Sequence, residues 1–241
     1  MLRAWFEILA ARLPSRCEIC RVWPARPVCA DCAQRFTAPL PRCELCARPL
    51  DATATDDRTD SPKACDGCRR TPPALHACHA ALAYAFPWPE LIARFKFQGE
   101  PGWACTFADL MRRIPGVGQV LADADRVLPL PLGPRRLAER GYNQALELAR
   151  RLAPSKVDTR SLVRWRETVP QTTLGNADRL NNVERAFAVD PQYAPALRGA
   201  HLVLVDDVMT SGASLGAAAL ALRQAGAARI TAVVLARTHH F

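Results

Sequence analysis

Residues 202–214 read LVLVDDVMTSGAS. An aliphatic run with the look of a buried strand leads into two adjacent acids, Asp206 and Asp207, and then into small and hydroxylated residues. Paired carboxylates can accept hydrogen bonds from two neighbouring hydroxyls of a ribose. The backbone N–H groups of Thr210, Ser211, Gly212, Ala213 and Ser214, with the hydroxyls of Thr210, Ser211 and Ser214, can cradle a phosphate at the positive end of the helix that opens there. The stretch therefore suits a ribose 5-phosphate. It is not a P-loop, because the spacing G-x-x-x-x-G-K-S/T is absent. A helix cap by Asp207 or Ser211 explains one of these residues but not the paired acids.

A second group of residues has metal chemistry. Eight of the ten cysteines form four CxxC pairs: Cys17/Cys20, Cys29/Cys32, Cys43/Cys46 and Cys65/Cys68. Two intervening residues let both sulfurs reach one tetrahedral ion, and two such pairs close a water-free structural site, so one or two zinc ions are expected. The last two pairs follow CxxC-x18-CxxC, a known zinc spacing, whereas the first two are only eight residues apart. Consecutive pairs could share an ion, or the first could join the third and the second the fourth; spacing leaves both open. A thioredoxin-like redox pair needs one CxxC at a strand-to-helix junction, which four pairs in coil do not supply. Cys78 and Cys105 stand alone and read as small core residues.

These groups need elements to position them. A chain of 241 residues has room for two domains. Residues 1–73 read as an amphipathic helix, with Leu2, Trp5, Phe6, Leu9 and Leu13 at helical spacing, followed by the cysteine module with a polar loop at 51–63. No internal repeat is evident beyond the CxxC pairs. From 74 to 241, strands are expected at 80–86, 127–132, 201–205 and 230–236. Helices are expected at 90–97, 103–113, 141–152 and 213–225, the last stopped by Gly226. Residues 154–187 are polar and weakly periodic. Strands separated by helices predict an α/β fold, a doubly wound parallel sheet whose ligand sits at the carboxyl ends of the strands, where Asp206 and Asp207 fall.

With 49% hydrophobic and 23% charged residues, neither a disordered nor a membrane class is indicated, and no window is long and apolar enough to span a bilayer. Arg3, Glu7 and Arg12 interrupt any signal-peptide core, so a cytoplasmic location is expected. The net charge is +9, and between Arg126 and Phe187 twelve Lys/Arg face six Asp/Glu. A basic face there would attract phosphates or polyanions.

The stretch VLVDDVMTSGAS resembles the phosphoribosyl pyrophosphate (PRPP) binding motif of type I phosphoribosyltransferases. Three further stretches stand in the order of the ComF competence protein family: LIARFKFQGE at 91–100, PLPLGPRRLAERGYNQA at 129–145 and QTTLGNADRLNNVERAF at 171–187. With the cysteine module the resemblance spans almost the whole chain. It implies a type I phosphoribosyltransferase-like sheet in which Asp206 and Asp207 bind the ribose hydroxyls and residues 210–214 the 5-phosphate. Arg135 and Arg136 are then candidate pyrophosphate ligands and, with the two acids, the candidate catalytic set, Mg²⁺ accompanying PRPP. Arg140, Tyr142, Asn143 and Gln144 match a signature at a helix start. Gln171, Thr172, Arg179 and Asn182 fall in the loop that closes over PRPP, and Lys96 is a candidate contact to ligand or nucleic acid.

The resemblance further implies a role in natural transformation, with single-stranded DNA and competence helicase or recombination proteins as partners. Purine-type members carry an acid at the position of Thr210, so no general base is evident here. Three functions follow: phosphoribosyl transfer acting with single-stranded DNA, a non-enzymatic PRPP- or nucleotide-sensing DNA-binding module, and transfer to a small-molecule acceptor.

Overall fold

The structure, a computed structural model, describes residues 15–50, 63–165 and 186–238. The expected helix over 2–13, all but the last residue of the 51–63 loop, and the candidates Gln171, Thr172, Arg179 and Asn182 lie outside the described residues.

In chain order the described elements are α1 (Ala30–Phe36), α2 (Asp66–Arg70), β1 (Ala77–Ala83), α3 (Trp88–Phe97), α4 (Trp103–Arg112), α5 (Val117–Asp123) and β2 (Arg126–Pro129). They continue with α6 (Pro134–Arg140), α7 (Gln144–Leu152), β3 (Leu162–Arg164), β4 (Phe187–Val189), β5 (His201–Met209), α8 (Ala213–Gln224) and β6 (Arg229–Arg237). β1, β6, β5 and β2 lie in that order in one parallel sheet, while β3 and β4 form a separate antiparallel pair. The central strands β5 and β6 are near-continuous aliphatic runs, as burial on both faces requires.

Alternation along β5 splits its side chains between two cores. Val203 and Val205 join Phe95, Phe107, Met111 and Leu148 on the face covered by α3, α4 and α7. Leu202 and Leu204 face the opposite core, with Leu215, Ala218 and Leu222 of α8 and with Leu162 and Phe187 of the β3–β4 pair. Both faces of a parallel sheet are thus covered, which is the doubly wound α/β arrangement the sequence predicts.

Several boundaries differ from expectation. β1 begins three residues earlier than expected and ends at Ala83, because its register is fixed by pairing Ala77 to Thr231 and Ala83 to Arg237. The helix expected over 141–152 is preceded by a separate one, α6, and Gly141 at φ 74° is the left-handed stop between them. β3 and β4 arise within and just beyond the polar 154–187 stretch. Alternate residues there lack the apolar weight that makes a strand legible, and Leu162 and Phe187 are the large side chains of the pair that are buried in the core.

The four CxxC pairs resolve into two similar units. Each opens with a hairpin closed by a bridge, Ser15 to Ala25 in the first and Arg42 to Pro49 in the second. The residue after the second cysteine takes a positive φ, 64° at Arg21 and 55° at Ala47. Its amide returns to the carbonyl of the first cysteine, Arg21 to Cys17 at 2.8 Å and Ala47 to Cys43 at 2.7 Å. Each unit then places its second pair at a helix start, Cys29 and Cys65 capping α1 and α2, with Cys32 and Cys68 one turn in. In the sequence the repeat shows only as RCEIC at 16–20 and RCELC at 42–46 with the CxxC pair that follows each; the rest of the likeness lies in the backbone conformation.

The units dock on different faces. Cys17, Val28, Cys32 and Ala33 of the first enter the α3 core, where Trp88 Nε1 donates to the Phe36 carbonyl at 3.0 Å. Arg94 of α3 also pairs with Glu18 of that unit at 2.9 Å and with Glu100 at 2.8 Å. Ala47 of the second unit packs into the opposite core beside Leu75 and Cys78.

Candidate functional site

The acids lie inside the sheet rather than after it. β5 continues through them because β6 offers partners that far, pairing Asp206 with Val234 and Met209 with Arg237. Asp207 is buried, and its Oδ1 lies 3.0 Å from Lys96 Nζ at the end of α3. Asp206 Oδ1 accepts the Asp207 amide at 2.8 Å, and Asp207 Oδ1 accepts the Val208 amide at 2.6 Å. Burial and the neighbouring Asp207 carboxylate push the Asp206 carboxyl up to about 7, against the opposing pull of Lys96 and Arg140. The pair is therefore poised to hold one proton near neutrality, and hydrogen-bond donors from a polyol would favour its release.

The strand then turns into α8. Gly212 sits at φ 84°, which favours glycine, and a Cβ there would come within 2.5 Å of Met209 Cε, the movable end of a flexible side chain. Ser211 Oγ accepts the Ala213 amide at 3.3 Å; Thr210 and Ser211 are exposed, while Ala213 and Ser214 are half-buried in the first turn of α8. The turn presents backbone N–H groups at the start of a 12-residue helix, the arrangement that suits a phosphate.

The remaining candidates fall into two groups. Tyr142 donates its hydroxyl to the Phe95 carbonyl and packs against that ring at 5.8 Å. Asn143 Nδ2 donates to the Leu130 carbonyl at 3.1 Å and its Oδ1 caps α7 by accepting the Leu146 amide at 3.2 Å. Arg140 Nη1 donates to Gln144 Oε1 at 2.9 Å and its guanidinium lies 5.2 Å from the centre of the exposed Phe97 ring. These four residues tie α3, β2 and α7 together beside the acid pair. Arg135 and Arg136 are exposed on α6. The strand they follow, β2, lies directly beside β5.

The thiol clusters are formed by consecutive pairs: Cys17, Cys20, Cys29 and Cys32 in one, Cys43, Cys46, Cys65 and Cys68 in the other, each with its sulfurs within 4.8 Å of one another. The crossed pairing is excluded. Sulfur separations of 3.7 Å, Cys20 to Cys29 and Cys46 to Cys65, match the edge of a tetrahedron with Zn–S bonds of about 2.3 Å. All ten cysteines are free thiols. In the first cluster burial opposes ionisation of Cys17, but the amides of Cys20 and Cys29 outweigh it and bring the thiol to about 6. In the second, the Cys46 side chain and nearby amides bring Cys43 to about 4 against burial. Each cluster thus offers a thiolate to begin metal capture, and the donor set fits structural zinc.

Three features beside the acid pair and the turn escaped the sequence: the Lys96–Asp207 pair, the contact of Cys78 Sγ with Met209 Sδ at 3.6 Å, and the buried Arg237. Only the first had a signal, since both its members were already candidates.

Sheet, acid pair and turn define a phosphoribosyltransferase domain, and the phosphoribosyl transferase domain family matches residues 137–240. Over 219 residues, 87% of this chain and 90% of the other, the sequence is 31% identical to competence protein F of Haemophilus influenzae. It is 29% identical over 242 residues to DNA utilization protein YhgH of Escherichia coli O6:H1, covering 94% and 98% of the two chains. It is also 29% identical over 227 residues to competence protein ComFC of Bacillus subtilis, covering 89% and 86%. The chain belongs to the ComF family of competence proteins. Among the described residues no helix is long and apolar enough to cross a membrane.

Proposed function

We propose that the chain binds PRPP with Mg²⁺ at the carboxyl ends of β5 and β2 and acts with single-stranded DNA in competence, in the uptake or processing of DNA. The observation that supports this most is the continuity of the acid pair, Asp207 buried and Asp206 half-buried, with the Gly212 turn, which sets ribose and phosphate recognition side by side. Asp206 and Asp207 orient the ribose hydroxyls, and the turn from Thr210 to Ser214 receives the 5-phosphate. Arg135 and Arg136 project from α6, on the β2 side of the acid pair, to meet the pyrophosphate. Mg²⁺, when bound with PRPP, supplies charge neutralisation to the departing pyrophosphate. Lys96 and Arg140 pull Asp206 toward its ionised form. The competence role follows the names of the relatives, and a cytoplasmic location accords with free thiols in every cysteine.

A second reading, a PRPP- or nucleotide-sensing module without turnover, is favoured by one feature: no acid or histidine occurs between Val208 and Ser214 to serve as a base. One experiment separates the two. PRPP with Mg²⁺ is titrated calorimetrically into wild type and the Asp206→Asn/Asp207→Asn double variant, while pyrophosphate release is followed with and without single-stranded DNA at several salt concentrations. Binding lost in the double variant supports the site, release supports transfer, and binding without release supports sensing. No PRPP binding by wild type defeats both. DNA binding that is absent or indifferent to salt removes the nucleic-acid part, since phosphate contacts release counterions.

A further inference from the structure

Arg237 ends β6 and is only 2% exposed. Its Nε donates to the Cys46 carbonyl at 2.9 Å. Its Nη1 is directed at the carbonyls of Met209 at 3.2 Å, of Thr210, and of Thr238 at 2.9 Å. One buried guanidinium therefore spans the second cysteine cluster and the first residues of the turn that leads into α8. A buried charge is tolerated only while its donors are matched, so withdrawal of either set of carbonyls leaves an expensive unpaired group.

A second contact runs in parallel. The Cys78 amide donates to the Glu44 carbonyl at 2.7 Å, within the second knuckle, and the Cys78 thiol touches Met209 Sδ at 3.6 Å. Met209 in turn fills the space beside Gly212, where a Cβ would lie 2.5 Å from its methyl group. The short hairpin around Cys46 is held by three backbone bonds, Cys43 to Arg48, Ala47 to Cys43 and Leu50 to Pro41, and a metal held by the four thiolates would add the restraint that fixes the direction of the Cys46 carbonyl. The first cluster, by contrast, packs into the core on the other face of the sheet.

We infer that Arg237 is a positioning residue through which metal occupancy of the Cys43/Cys46/Cys65/Cys68 cluster sets the conformation of the 209–213 turn, while the Cys17/Cys20/Cys29/Cys32 cluster does not. The consequence for ligand affinity rests on the reading of that turn as a phosphate site; the coupling itself does not.

The test is hydrogen–deuterium exchange at the amides of 210–213 in full-length, zinc-loaded protein, with zinc per chain measured by native mass spectrometry and PRPP–Mg²⁺ affinity by calorimetry. Cys68→Ser should lose one zinc and expose the turn amides to at least tenfold faster exchange, with at least tenfold weaker PRPP binding. Cys20→Ser should also lose one zinc yet leave the turn within twofold of wild type. Arg237→Met should keep both ions and still show the fast turn, and Arg237→Lys should recover part of the protection. Should Arg237→Met not fold, graded chelation of wild type gives the same reading, with turn exchange tracking loss of the second ion. Wild-type turn protection in Cys68→Ser, or in Arg237→Met with both ions bound, overturns the inference. Fast exchange in a protein that never binds PRPP supports the coupling and overturns the ligand reading.

Discussion

Lys96 Nζ at the end of α3 and Asp207 Oδ1 on β5 are 3.0 Å apart, in a pair almost closed to solvent. The lysine is the cation that balances two adjacent acids, and it reaches them only because Phe95 anchors α3 in the core one residue earlier. It also pulls down the Asp206 carboxyl, which burial and Asp207 nonetheless hold at about 7. Both carboxylates must be ionised to accept from two ribose hydroxyls. PRPP affinity should therefore rise between pH 6 and pH 8, and Lys96→Met should shift the midpoint up by about one unit, the low end of the usual effect of a close opposite charge. Calorimetric titrations across that range check this; an unmoved midpoint would sink it.

The same acid taxes the fold. A carboxyl whose native pKa lies above its unfolded value adds no penalty at low pH, where it is protonated in both states. Stability then falls as pH rises from the ordinary carboxyl range toward the native value near 7. Asp206→Asn removes this penalty, so at pH 8 it should stabilise the chain by about 1–3 kcal/mol while abolishing PRPP binding. Thermal melts at pH 5 and pH 8 test the sign: the gain should be present at pH 8 and small at pH 5.

Gly212→Ala meets two obstacles, a backbone at φ 84° and the Met209 methyl 2.5 Å from the new Cβ. The methyl can turn away by rotation about Cγ–Sδ, which leaves the Sδ contact with Cys78 in place, so the left-handed backbone is the larger obstacle. A loss of about 1–3 kcal/mol is expected, read from urea denaturation, with PRPP binding weakened by more than the stability change alone accounts for.

Two zinc ions per chain are expected by native mass spectrometry. Stripping the first should be visible in fluorescence, because Trp88 is 1% exposed and its indole N–H is held by the Phe36 carbonyl of α1. A red shift that accompanies loss of the first ion, and that Trp88→Phe largely removes, is the anticipated result. Emission unchanged after complete chelation would show that the first unit stays docked without metal.

The sheet was legible because β5 and β6 are long aliphatic runs, and the acids and the Gly/Ser/Thr turn stood out because they follow one of those runs directly. The metal ligands were legible from spacing alone. The pairing of the CxxC motifs was not, since it depends on which hairpin the backbone closes, and positive φ at Arg21 and Ala47 has no glycine to announce it. The carboxyl end of β5 escaped for a different reason: the ladder persists through Asp206 because of β6, and a neighbour's length cannot be read from a strand's own residues. Arg237 was hidden by its type, as an arginine ending a strand ordinarily points to water.

The second cysteine unit also serves the sheet as a hem. β1 is an edge strand, and its outward-facing Cys78 amide is occupied by the Glu44 carbonyl of the knuckle. At the opposite border, Val157 bridges β2 and the Asp158 amide bonds the Val127 carbonyl, so that side is stitched by ordinary chain. Only one border depends on a dissociable ion. Protein depleted of the second metal should self-associate through an unpaired strand before it unfolds, and light scattering should rise ahead of the loss of circular dichroism.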